Sequence, residues 1–126
     1  MSYLIVVLIC LTLLFIVRKR YFDTTDYKSM LDKGAVIIDV RSEEEFLTGH
    51  VDNSLNIPLA DLPSNFNKLK DKHQHIILCC KSGMRTRAAE ILMSSKGYVN
   101  IVNGGSWSHL QRKISKNKVN TTYFNR

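Results

Sequence analysis

The residues best equipped for chemistry lie together: Cys80, then Lys81, Ser82, Gly83 and Met84, then Arg85. Before them runs the apolar stretch IILCC, Ile76 to Cys80, which predicts a buried strand; after them Met84 to Lys96 has the pattern of an amphipathic helix closed by Gly97. A strand that turns through a tight loop into a helix N-terminus aims several backbone N–H groups, and the positive end of the helix dipole, at its own last residue. Such surroundings favour a thiolate and an anion beside it, and lower a cysteine pKa from about 8.5 into roughly 3.5 to 7.5. Lys81 and Arg85 add formal positive charge, Gly83 lets the loop turn tightly, and Ser82 can hydrogen-bond substrate or loop. The chemistry expected is nucleophilic attack by Cys80.

Each of these residues also has a purely structural reading. Cys80 could be a buried strand-end cysteine, as many free cysteines are. Cys79 must point to the opposite face of the strand, which makes it a core residue with a resolving thiol as the alternative. Arg85 could contact substrate or fold back onto loop carbonyls.

The loop CKSGMR resembles the active-site loop of the rhodanese family of sulfurtransferases, and the resemblance extends along the chain. DVRSEEEFLTGHVDNSLNIPL, Asp39 to Leu59, is similar to that family's Asp-x-Arg, Glu-Phe, Gly-His and Asn-Ile-Pro series, while RTRAAEIL and GYVNIVNGGSW resemble its later helix and final strand. The pattern runs in order from about Tyr21 to Leu110. The resemblance implies a rhodanese-like α/β fold and a catalytic Cys80 that accepts sulfane sulfur as a persulfide, cradled by the backbone of Lys81 to Arg85. It also implies a small anionic donor such as thiosulfate, attracted by Lys81 and Arg85, and cyanide, a thiol or a protein as acceptor. Asp39 and Arg41 are expected to form structural pairs with loop backbone or Glu45, His50 to belong to a scaffold turn, and Trp107 to pack. The family often places its tryptophan farther beyond the Gly-Gly pair than Trp107 stands from Gly104 and Gly105, which implies a shortened or re-angled final helix.

Related folds include phosphatases and arsenate reductases of the cell-cycle phosphatase type, which place five residues between cysteine and arginine to encircle a tetrahedral anion. Only Lys81, Ser82, Gly83 and Met84 intervene here, a smaller ring suited to a persulfide sulfur. The alternative from another class is a non-catalytic rhodanese-like module that binds a partner at a membrane.

The elements that must position this loop alternate short apolar runs with helix-like stretches between Lys33 and Asn103, the pattern of βα units around a mainly parallel sheet. Five strands are expected, near Tyr21 to Phe22, Val36 to Val40, Leu55 to Ile57, Ile76 to Cys80 and Asn100 to Val102. Helices are expected from about Thr25 and Asp26 to a Gly34 C-cap, through Glu43 to Leu47, around Leu59 to Leu69, over Met84 to Lys96, and from Ser106 to Ile114.

The N-terminus differs in composition. Residues 3–17, YLIVVLICLTLLFIV, carry no charge, and Arg18, Lys19 and Arg20 follow them. Seventeen helical residues reach about 25 Å, a marginal span for a bilayer core of roughly 30 Å. A secretory signal peptide would place positive charge before the run and a small-residue cleavage site after it; a cleaved signal or an apolar oligomer helix stays as the alternative. The positive-inside rule puts the basic cluster and the later residues in the cytoplasm, as a single-pass membrane protein. The organisation expected is an anchor with basic flank over 1–20, a rhodanese-like domain over 21–115 and a flexible basic tail over 116–126.

Eighteen Lys and Arg against eleven Asp and Glu give a formal net charge of +7, all of its cations from Arg18 onward. The cations form no stripe interleaved with aromatics, so no nucleic-acid partner is expected. Three cysteines, one in the apolar run and two adjacent, make no disulfide framework and suit a reducing compartment. No cysteine and histidine spacing suggests zinc, and neither metal nor cofactor is expected.

Overall fold

The structure is a computed structural model that describes backbone over residues 1–21 and 25–124 and side chains over 1–19 and 25–116. The chain begins with a helix, α1 (Ser2–Tyr21), whose window Ser2–Lys19 has a mean hydropathy of 2.2 and no part buried by the rest of the chain. Twenty residues rise about 30 Å, so α1 is longer than residues 3–17 suggest. By length and composition it could cross a membrane, and a signal sequence would have the same character. Arg18, Lys19 and Arg20 continue the helix because Lys and Arg are good helix formers.

Four strands, not five, form the sheet among the described residues: β1 (Val36–Asp39), β2 (Leu55–Asn56), β3 (Ile76–Cys80) and β4 (Ile101–Ser106). Of the expected first strand, Tyr21 is the last residue of α1 and Phe22 lies outside the described residues. All pairings are parallel, in the order β2-β1-β3-β4. β1 and β3 are nearly continuous apolar runs because both faces of a parallel sheet are covered by helices.

The helices that cover it begin with α2 (Tyr27–Asp32), capped by the Asp26 carboxylate accepting from the Ser29 N–H at 3.0 Å. Next, α3 (Glu43–Leu47) opens on a capping box: Ser42 Oγ accepts from the Glu45 N–H, and the Glu45 carboxylate accepts from the Ser42 N–H. The stretch expected as one helix over Leu59 to Leu69 is a 3₁₀ turn, Leu59–Asp61, followed by the short α4 (Leu62–Asn65). Pro63 explains the division, since it suits the first turn of a new helix and cannot continue an old one. Then come α5 (Met84–Ser95), followed by Lys96 and Gly97, and α6 (Trp107–Phe124). The last helix runs ten residues past Ile114, so the backbone of the expected tail from Lys116 is helical as far as Phe124.

Strand alternation divides the core into two layers. Ile76, Leu78 and Cys80 face Leu62, Ala89, Met93 and Tyr98, while Ile77 and Cys79 face Tyr27, Leu110 and Ile114. Fully burying an aliphatic side chain of this size contributes about 1.5–3 kcal/mol. The chain leaves β1 toward β2 on one side and β3 toward β4 on the other. The strand order therefore reverses between β1 and β3, the switch point at which open α/β sheets form a crevice beyond the carboxyl ends of their strands.

Candidate active site

Cys80 is the last residue of β3 and stands at that crevice with its side chain covered. Burial alone would suit a core cysteine, but the sulfur is also addressed by polar groups. The Gly83 N–H points at Sγ with nitrogen 2.9 Å away. Burial opposes charge on Cys80, yet the backbone N–H groups of Thr86, Gly83 and Ser82 and the Thr86 hydroxyl together outweigh it and hold the thiol below its ordinary value. The loop achieves this because Gly83, at φ +94°, occupies a left-handed conformation as the N-cap of α5 and supplies no capping side chain. The first N–H groups of α5 are therefore left for the sulfur.

Thr86 is the residue that sequence reasoning missed. It is fully buried on the first turn of α5, with its Oγ1 2.6 Å from Gly83 O, 2.9 Å from Asn103 Oδ1 and 3.9 Å from Cys80 Sγ. Asn103 Oδ1 also accepts the Gly105 N–H at 2.9 Å, which fixes that atom as an acceptor. A polar β-branched residue placed six positions after a nucleophile, on an expected helix start, was the available signal. The strand that carries Asn103 slips by one residue against β3, since Leu78 pairs with Asn103 but Cys80 with Ser106. Gly104 sits inside this bulge, where a Cβ would come 2.9 Å from Leu78 O.

The other expected site residues divide by exposure. Lys81, Ser82 and Met84 are exposed on the rim, and Gly83 is half-buried. Arg85 does not fold back onto loop carbonyls. Its Nη1 and Nη2 lie 2.6 Å and 2.9 Å from Glu45 Oε1 and Oε2, a two-pronged pair across the crevice from α5 to α3. The Arg85 hydrogen bonds hold the Glu45 carboxyl down at about 2, against some opposition from desolvation, and raise the arginine in turn.

Cys79 lies in the opposite layer. Burial first, and then the Asp39 carboxylate, push its thiol up to about 12. Asp39 and Arg41 form a buried pair at 2.7 Å, with Arg41 also donating to the carbonyls of Glu45 and Gly49 and lying 4.9 Å from the centre of the Trp107 ring. Trp107 thus packs, as expected, and closes over Gly49. His50 stacks on Phe46 and its Nδ1 is 2.8 Å from the Phe46 carbonyl. Among the described residues, no three or more His, Cys, Asp or Glu side chains gather as metal ligands would.

The chain is similar to known proteins. A mitochondrial protein of Schizosaccharomyces pombe that carries the provisional name thiosulfate sulfurtransferase is 32% identical over 97 residues, covering 66% of this chain and 68% of its own length. The tRNA uridine(34) hydroxylase of Erwinia tasmaniensis is 35% identical over 101 residues, 73% of this chain but 29% of the hydroxylase. Among solved structures, the human single-domain sulfurtransferase TSTD1 matches with a TM-score of 0.59 at 29% identity, over 70% of this chain and 91% of that one. An Escherichia coli rhodanese with bound anions matches with a TM-score of 0.57 at 27% identity, over 60% and 91%. The Rhodanese-like domain model matches residues 23–111, most of the chain beyond α1. With the parallel sheet, the cysteine at its crevice and the N–H groups directed at that sulfur, this match places the chain in the rhodanese-like domain family.

Proposed function

We propose that the protein is a sulfurtransferase that carries sulfane sulfur as a Cys80 persulfide, from a donor such as thiosulfate to a thiol, a protein or cyanide. The observation that carries the reading is the Gly83 N–H directed at Cys80 Sγ from 2.9 Å, in a loop whose other N–H groups also favour negative sulfur. The Cys80 thiolate attacks the outer sulfur of the donor, the donor's S–S bond breaks, and sulfite leaves with the bonding pair. An acceptor thiolate then attacks the outer sulfur of the persulfide and takes it, restoring the Cys80 thiolate. Ser82, Gly83 and Thr86 stabilise charge on sulfur through their N–H groups, while Lys81 and Met84 form the rim that a donor meets. The test is intact mass after incubation with thiosulfate. One added sulfur, lost on cyanide treatment and absent in Cys80→Ser, is expected; no Cys80-dependent gain would sink the reading.

The apolar α1 and the cations that follow it support a membrane tether, with the sulfur-carrying domain on the cytoplasmic side. Full-length protein should stay with membranes after alkaline carbonate extraction and be released by deletion of residues 2–17. Full-length protein in the soluble fraction would refute the tether.

A further inference from the structure

The crevice at Cys80 is bridged by one ion pair, and that pair alters which donors the site can attract. Three cations belong to the loop and its helix: Lys81, Arg85 and the exposed Arg87. Arg85 is close enough to Cys80 for the thiolate's charge to act on it, yet its guanidinium is held by both oxygens of Glu45. Glu45 is itself held in place. Its carboxylate completes the capping box with Ser42, and its carbonyl accepts from Arg41 Nη1 at 3.3 Å. The carboxylate is thus fixed by the start of α3 and by the buried Asp39–Arg41 pair, rather than swinging freely. At the mouth, the charges of Glu45 and Arg85 cancel.

We propose that Glu45 is a positioning residue that sets the charge class of the sulfur donor: by holding Arg85 it favours a thiol-bound persulfide, with at most one charge on its sulfurs, over dianionic thiosulfate. This rests on the sulfurtransferase reading and narrows its substrate. In the favoured step the Cys80 thiolate attacks the outer sulfur of RSS⁻, the donor S–S bond breaks, and RS⁻ leaves with the electron pair to be protonated by solvent. Charge and sulfur balance without any oxidant or reductant. With thiosulfate the same site must bring two negative charges, plus the thiolate's own, beside an arginine already neutralised.

Glu45→Gln isolates the charge, because glutamine keeps the amide oxygen that a capping box needs. The probes are iodoacetate and iodoacetamide, which alkylate the same thiolate but differ in charge, so their rate ratio cancels any change in thiol pKa. Full-length protein in neutral detergent would be labelled at low ionic strength and the Cys80 peptide quantified by mass. In Glu45→Gln the iodoacetate to iodoacetamide ratio should rise about threefold to tenfold and fall back at high salt, and KM for thiosulfate should drop by a similar factor. In Arg85→Gln, which leaves Glu45 unpaired, the ratio should fall below wild type; this second variant reads the same field if the first fails to fold. An unchanged ratio in both variants, or an unchanged thiosulfate KM in Glu45→Gln, would overturn the proposal. Because alkylation needs no sulfur transfer, a shifted ratio in a protein that never takes up sulfur refutes the sulfurtransferase reading instead, and the donor class with it.

Discussion

Cys79 and Cys80 are neighbours in the chain, but their side chains enter opposite layers of the core. One is pushed up to about 12 by burial and by Asp39; the other is held below its ordinary value by the N–H groups of its loop. In native full-length protein at neutral pH, iodoacetamide should therefore modify Cys80 and spare Cys79, which should react only after denaturant is added. Peptide mapping distinguishes both from the exposed Cys10. Equal labelling of the pair before unfolding would contradict the two-layer placement.

Thr86→Val keeps the shape of the side chain and removes the hydroxyl. One stabilising contact to the Cys80 thiolate disappears, so the pH midpoint for Cys80 alkylation should move upward by about 0.5–1 unit. Gly83 O and Asn103 Oδ1, which share that hydroxyl's single proton, also lose it, and stability should fall by about 1–2 kcal/mol in urea denaturation. A midpoint that stays put would assign Thr86 a packing role alone.

Glu45 makes the pH dependence directional. Its folded-state value is depressed from 4.5 to about 2, so its contribution to stability is fully present above pH 4.5 and is lost as pH falls through about 2. Wild type should exceed Glu45→Gln in denaturation midpoint at pH 6, and the two curves should converge toward pH 2. Exposure and salt screening keep the gap small. A gap that widens on acidification would contradict the sign.

Asp39→Ala leaves Arg41 buried without its counterion. Removing one partner from a buried pair costs about 3–5 kcal/mol, far more than a surface pair would. The loss should appear as a lower urea midpoint and as changed Trp107 fluorescence, since the guanidinium that lies over that ring is released. A loss below about 1 kcal/mol would show that Arg41 is held by the Glu45 and Gly49 carbonyls and not by Asp39.

The parts of this fold that were legible in sequence are those where local pattern and tertiary demand agree. β1 and β3 are apolar runs with nothing else to be, and the Ser-x-x-Glu start of α3 announces its cap. Tyr21 misled because aromatic residues favour strands, whereas the helix before it simply continued through the basic residues. β4 was read too short because Asn-Gly-Gly signals a turn, while here the two glycines form a bulge that carries pairing on to Ser106. The far end of α6 lacks periodicity and is rich in Asn, Thr and Val, poor helix formers, so neither pattern nor propensity signalled its helix. In the site, the cysteine loop was readable because its chemistry is local. The partner of Arg85 was not, since Glu45 lies forty residues earlier and meets it only when β1 and β3 pair.

The burial of Cys80 at the end of β3 bears on which way an intermediate breaks. A persulfide has two sulfurs open to attack; a thiol striking the inner one would expel hydrosulfide and leave the protein trapped as a mixed disulfide. A thiol attacking the inner sulfur must approach from the side opposite the S–S bond, which the loop and β3 occupy, whereas the outer sulfur, about 2 Å farther toward the crevice, is the atom it can reach. Burial of the nucleophile thus acts as regiochemical control, steering the reaction toward release of the cargo and away from the dead end.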